Sequence, residues 1–278
     1  MRPILPLCCS QPAFELLKRQ VDCIESPDAL VQGAVAIAMH ELESVDPAAV
    51  DAQLQGYADA VRRRVHGTQP QALLAHLHQV LFEEEGFIGN AEDYYAAANS
   101  YLPTVLDTKR GLPITLSLIY KIVAERLGLR VGGVGLPGHF IVSVETDTAP
   151  MLVDTFAGGR ILTSFEAHER LREMFGQEIE WSEEYLQTVT NRQWLTRMLQ
   201  NLLNTFGGAG RYTDVAAVLE MEMLLWPKQD HLQRDLALVL ARIGMSEPAS
   251  MWLNSYLQHN PDDPQRQDLE QLLEALGT

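Results

Sequence analysis

NSYLPTVLDTKRGLPITLSLIYKIVAERLGLRVGGVGLPGHFIVSVETDTAPMLVDTFAGG, residues 99–159, is the stretch whose reading decides the fold. Arg110-Gly111 makes a tight turn, Pro113 suits the first position of a helix and Gly128 suits its end. Between them Ile114, Leu116, Leu118, Ile119, Ile122, Val123 and Leu127 cover most of the circumference, which predicts a largely buried helix over 113–127. Residues 131–136, 140–144 and 151–155 read as strands, with Gly132, Gly133 and Gly135 keeping the turn compact. A buried helix against antiparallel strands gives an α+β core. One β-rich stretch carries His139 and the next carries Asp154. A helix start, then a His, then an Asp is the chain order of a Cys-His-Asp catalytic triad. Yet this helix opens Leu112-Pro113-Ile114, and no cysteine lies near it.

Working outward, the first hundred residues read as helices. Ser26-Pro27-Asp28 combines an N-cap, a proline at the first helical position and an acid in the first turn, and the helix should run to about Glu43. Asp46-Pro47 repeats the device, with Val50, Leu54, Tyr57, Val61 and Val65 on one face before Gly67. A third helix should follow Pro70 and end near Glu84. Beyond the central segment a 34-residue period emerges. Gly210 and Gly244 share it, as do Pro227 and Pro261, Leu202 and Leu236, Phe206 and Leu240, and Leu219 and Leu253. A helix–turn–helix of that length closed by proline is the tetratricopeptide signature, and residues 264–276 supply a capping helix. The expected organisation is a helical region over 1–98, the α+β core over 99–185 and repeat-type helical hairpins over 186–278.

Composition limits the function. With 278 residues, 46% of them apolar, the chain can bury large cores. Its 37 acidic and 21 basic residues give a net charge of −16, which repels phosphate backbones and anionic membranes. Direct nucleic-acid and membrane binding are therefore not expected, and the short run Arg62-Arg63-Arg64 reads as a solvated face. Cys8, Cys9 and Cys23 are odd in number and two are adjacent, so no disulfide framework is implied and a reducing compartment fits. The apolar run 4–9 is shorter than a signal-peptide core, and no stretch approaches the roughly 20 apolar residues of a membrane span. The expectation is a soluble cytoplasmic protein without metal or cofactor.

The segment resembles the transglutaminase-like superfamily, whose catalytic Cys opens the helix and whose His and Asp lie on two following strands. Counting back from Gly128, the Cys position falls on Pro113. LFEEEGFIGNAEDYY (81–95), NSYLPTVL (99–106), RGLPITLSLIY (110–120), GVGLPGHFIVSV (133–144) and VDTFAGG (153–159) extend the likeness over almost the whole chain. They resemble the SirB-type family of bacterial invasion-gene regulator homologues. That resemblance implies a helical N-terminal region, a transglutaminase-like core without its nucleophile, and C-terminal tetratricopeptide repeats.

Two functions follow as expectations. The first is a non-catalytic regulatory module that binds a protein or peptide in the old cleft, with Asn99, Ser100, Arg110 and Thr115 placed to line it. The second is a hydrolase or amidase in which His139 and Asp154 activate a hydroxyl, from Ser117 or Thr115. Proline lacks the N–H that a nucleophile residue contributes to an oxyanion hole, which counts against the second. The plain structural reading of His139 and Asp154 is a buried pair that pins two strands together.

Overall fold

The helix Pro113–Arg126 is buried without a break from Pro113 to Ala124, so each of its sides needs a covering layer. The computed structural model describes residues 5–146, 149–175 and 182–277. Helices α1 (Gln11–Gln20), α2 (Pro27–Ala38), α3 (Pro47–Arg62) and α4 (Pro70–His78) come first, and a π-helical turn, Gln79–Glu84, extends the last of them. Strand β1 (Ile88–Gly89), helix α5 (Leu102–Thr108) and strand β2 (Arg110–Gly111) lead into the buried helix, α6. Strands β3 (Val131–Val134), β4 (Ile141–Val144), β5 (Met151–Asp154) and β6 (Arg160–Leu162) follow, then α7 (Ser164–Phe175) and β7 (Thr188–Val189). Helices α8 (Asn191–Gly208), α9 (Tyr212–Leu225), α10 (Asp230–Arg242), α11 (Ser246–His259) and α12 (Arg266–Leu276) complete the chain.

Among the described residues the main sheet is antiparallel throughout, in the order β6-β5-β4-β3-β7. β1 and β2 form a short parallel pair of their own, Ile88 beside Arg110 and Gly89 beside Gly111. Helix α6 lies against β3 and β4 on one side and α3 on another. A single apolar core joins residues from α1 to α6, the sheet and α8 to α10. Where the strands meet α8, Trp194 is sealed against Phe140 with ring centroids 4.6 Å apart. The mixed α+β class is as the sequence reads, and among the described residues no helix is long and apolar enough to cross a membrane.

The C-terminal helices repeat their backbone geometry at the 34-residue offset. Gly210 and Gly244 have φ of 69° and 81°. Arg211 donates its N–H to Phe206 O at 2.9 Å, and Met245 donates to Leu240 O at the same distance. Trp226 and Asn260 end α9 and α11 with nearly equal dihedrals, φ −129° and ψ 63° against φ −125° and ψ 68°.

Several boundaries differ from expectation. Helix α2 stops at Ala38 rather than near Glu43, because the chain turns there so that His40 can reach Asp214 and Glu41 can reach Arg211 and Tyr101. Helix α3 stops at Arg62, where tighter i+3 bonds, Arg64 N–H to Val61 O and Val65 N–H to Arg62 O, replace the α pattern. The expected strand at 140 begins at Ile141, leaving His139 on the turn before it, and Asp154 is the last residue of β5. Strands β6 and β7, outside the expected set, take the outer positions of the sheet.

Candidate functional site

The segment Leu136-Pro137-Gly138-His139 determines where His139 stands. Proline supplies a fixed φ, Gly138 takes φ 64°, and the His139 N–H closes on Leu136 O at 3.2 Å, the pattern of a type II turn. The ring is held at a second point from β5. Its Nε2 lies 3.0 Å from Asp154 Oδ2, and because a carboxylate only accepts, Nε2 carries the hydrogen.

Asp154 closes β5 and starts the hairpin to β6. The Ala157 N–H donates to its Oδ1 at 3.1 Å, the Gly159 N–H to its carbonyl at 3.0 Å, and Gly158 and Gly159 take φ of 68° and 79°. The Asp-Thr-Phe-Ala-Gly-Gly run is thus the chemistry of one tight turn. The side chain is fully buried, and Arg170 of α7 reaches the same Oδ2 at 2.8 Å. Burial by itself would push the Asp154 carboxyl up. The His139 hydrogen bond and charge, then Arg170 and the Ala157 N–H, overcome it and hold the group below the usual carboxylate range.

His139 opens onto a cleft of about 180 Å³ walled by Tyr94, Pro113, Ile114, Phe140, Arg197 and Asn201. The first turn of α6, where a nucleophile would sit, presents Pro113 and Ile114 to this space. Arg197 and Asn201 lie four apart on α8, on one face of the helix. Arg197 Nη2 donates to Leu136 O at 2.6 Å and to His139 O at 2.8 Å, so α8 clasps the turn that carries the histidine. Burial lowers the Arg197 pKa, and the nearby Tyr94 phenol partly opposes that. Among the described residues no group of three His, Cys, Asp or Glu side chains converges as a metal site.

The residues expected to line the cleft do other things. Asn99 is buried behind it, donating through Nδ2 to Asp93 O at 2.6 Å and Tyr94 O at 3.1 Å, while its own carbonyl accepts the Leu112 N–H at 3.1 Å. It braces Tyr94 and the start of α6 together. Ser100 is buried next to it, and Arg110 is exposed on β2 beside Ile88. Thr115 is sealed in the core, and its hydroxyl has no hydrogen-bond partner among the described residues. Ser117 Oγ is 3.0 Å from Thr155 Oγ1, whose second contact is Pro113 O at 3.4 Å. Among the described residues Asp154 is the hydrogen-bond partner of the His139 ring, and neither hydroxyl shares that role. Sequence reasoning missed Tyr94, Arg197 and Asn201. The one available signal was the i, i+4 spacing of Arg197 and Asn201 between the apolar positions of α8.

Residues 48–200 match the model of the transglutaminase-like superfamily. The chain is similar to a UPF0162 protein of Xylella fastidiosa (strain 9a5c), 33% identical over 236 residues that make up 84% of each chain. A UPF0162 protein of Vibrio cholerae is 24% identical over 261 residues, 92% of this chain and 96% of that one. Human F-box only protein 21 is 31% identical over 176 residues, 59% of this chain and 27% of its own length. No solved structure matches.

Proposed function

The chain belongs to the transglutaminase-like superfamily, with UPF0162 proteins as its relatives, and from that premise we propose that it is a non-catalytic binding module whose ligand, a peptide or protein segment, enters the cleft beside His139. The observation that carries this reading is Pro113. It stands at the first turn of α6 on the wall of the cleft that His139 also lines, where the superfamily pattern calls for a thiol. Proline offers neither a nucleophile nor an N–H for an oxyanion. The Ser117 hydroxyl, one turn along α6 from Pro113, is engaged with Thr155, and Thr115 is sealed in the core. In this reading the His139–Asp154 pair shapes and rigidifies the cleft, and a regulatory effect runs through the bound partner. The 34-residue repeat unit, read as tetratricopeptide-type hairpins, docks on the core through α8 and α9. The SirB-type motifs of the sequence agree with such a role.

The test has two arms. Wild-type protein should hydrolyse p-nitrophenyl acetate no faster than His139→Ala, whereas Pro113→Cys should gain a rapidly alkylated thiol and a burst of acylation. Random peptides selected by display on the wild type should lose binding to Asn201→Trp, which fills the cleft from α8. Turnover by the wild type that His139→Ala abolishes would overturn the non-catalytic reading. Selected peptides that bind Asn201→Trp unchanged would overturn the cleft as their site.

A further inference from the structure

Among the described residues Arg197 is a cation without a counter-charge, in a chain of net charge −16. Its guanidinium is fixed before any ligand arrives: Nη2 is committed to two carbonyls, and the plane lies over the Phe140 ring, 5.5 Å from the centroid. An arginine offers five donors, and here Nε and Nη1 have no protein hydrogen-bond partner among the described residues. Neither belongs to the sealed polar atoms of the interior, so both keep some exposure, and Arg197 lines the cleft. Asn201, one turn further along α8, brings its side-chain amide to the same wall, and Tyr94 brings its phenol. No Asp or Glu lines the space among the described residues; Asp154, bonded to the His139 ring, is spent on His139 and Arg170. The N-terminal turn of the 14-residue helix α6 adds its positive dipole end to the opposite wall.

We propose that Arg197 and Asn201 form a carboxylate-binding pocket, and that the group it takes is the C-terminal carboxylate of a peptide chain. The inference rests on the binding-module reading and names the ligand chemistry of that cleft. The guanidinium gives a carboxylate one charge-assisted hydrogen bond from an unpartnered N–H, and the Asn201 side-chain NH₂ on the same wall supplies a second. Because the guanidinium is already held in place, little rotamer entropy is lost on binding. A cleft of about 180 Å³ lies below the size of ordinary small-molecule pockets, which suits one terminal residue rather than a chain running through.

The probes are acetyl-trialanine as the free acid, the same peptide as its C-terminal amide, and a tripeptide amide whose only carboxylate is a central glutamate side chain. Each is titrated into full-length wild-type protein and followed by the backbone amide resonances of Ile114, Gly138 and His139. The free acid should bind at least about tenfold tighter than its amide, since the difference is one charge-assisted hydrogen bond. The glutamate peptide should follow the amide, which separates a chain terminus from a side chain. Asn201→Leu should weaken the acid more than the amide, and Arg197→Met should remove the preference altogether. Loss of the carbonyl clasp can unfold Arg197→Met, so the acid-to-amide ratio in the wild type is the deciding number. Equal binding of acid and amide overturns the carboxylate pocket while leaving a peptide cleft standing. Tighter binding of the glutamate peptide overturns the assignment to a chain terminus. Absence of any cleft response to all three probes overturns the pocket; the display selection above then decides independently whether the cleft binds peptides.

Discussion

Replacing Asp154 tests the centre of this structure most directly. The carboxylate is fully buried and accepts from three directions: His139 Nε2 at 3.0 Å, Arg170 Nη1 at 2.8 Å and the Ala157 N–H at 3.1 Å. Asp154→Ala leaves a buried imidazole, a guanidinium and a backbone N–H without their acceptor. Breaking a buried charged pair from one side costs about 3–5 kcal/mol. Asp154→Asn keeps an oxygen for Ala157 but turns an NH₂ toward Arg170, and His139 can answer it only by changing tautomer. Its cost should be smaller, about 1.5–3 kcal/mol for the lost charge-assisted bonds. Arg170 is 31% exposed and screened by water, so His139 accounts for the larger share. At about 2–4 °C per kcal/mol, the alanine variant should melt roughly 6–20 °C lower.

Urea unfolding followed by tryptophan fluorescence is a suitable assay, because Trp194 is sealed beside the same strands. The pH dependence gives a second reading. The Asp154 pKa is depressed in the folded protein, so its unfolded form takes up a proton first. The stability it contributes is therefore present above the ordinary Asp value of about 3.9 and is lost as the pH falls through the folded value. Asp154→Asn cannot titrate, so its stability should fall less steeply than wild type below about pH 4. If both variants unfold within about 0.5 kcal/mol of wild type, the typical range of a surface change, the pair does not pin the strands. Superimposable acid limbs would likewise remove Asp154 from the acid sensitivity.

Two glycines should respond in opposite directions. A Cβ at Gly133 would stand 2.2 Å from the Trp194 ring and 2.7 Å from Phe140, so Gly133→Ala should cost about 1–3 kcal/mol or more by overpacking. Gly56, inside α3 with nothing within 4 Å of its Cβ position, should gain about 0.5–1 kcal/mol as alanine; equal melting temperatures for the two variants would contradict both. The cysteines should label in order of access. Cys23 is exposed, whereas burial, with Glu220 adding to it, pushes the Cys8 thiol up to about 11, and Cys9 is buried and pushed higher still. Iodoacetamide at neutral pH followed by peptide mass spectrometry should find Cys23 modified first and Cys9 only under denaturant. Uniform labelling would show that the segment carrying Cys8 and Cys9 is not held as described.

Part of the site is legible in the chain because its turns are local. Leu136-Pro137-Gly138 fixes the approach of His139, and Asp154 with Gly158-Gly159 fixes the hairpin that aims the carboxylate. Both arrangements follow from residues a few positions apart, so their pairing is foreseeable from order and spacing. The end of α2 is not legible, since it answers to Asp214 and Arg211 far along the chain. Asn99 illustrates the same limit: its position beside the α6 start is evident, but whether it faces the cleft or braces Tyr94 from behind depends on how the 90–94 loop folds back.

The sequence by itself determined the α+β class, the buried central helix, the His139–Asp154 pairing, the proline at the helix start and the 34-residue offset of the tail. Each is set by periodicity, a glycine or proline dihedral, or a short turn, and these act over a few residues. Only the tertiary structure decided which side chains wall the cleft. Arg197 reaches Leu136 and His139 from 58 and more positions away, and no local pattern distinguishes an arginine that clasps a remote turn from one that lies in solvent. That choice is made when α8 docks beside the sheet, because burial there leaves the guanidinium few partners except the carbonyls of that turn.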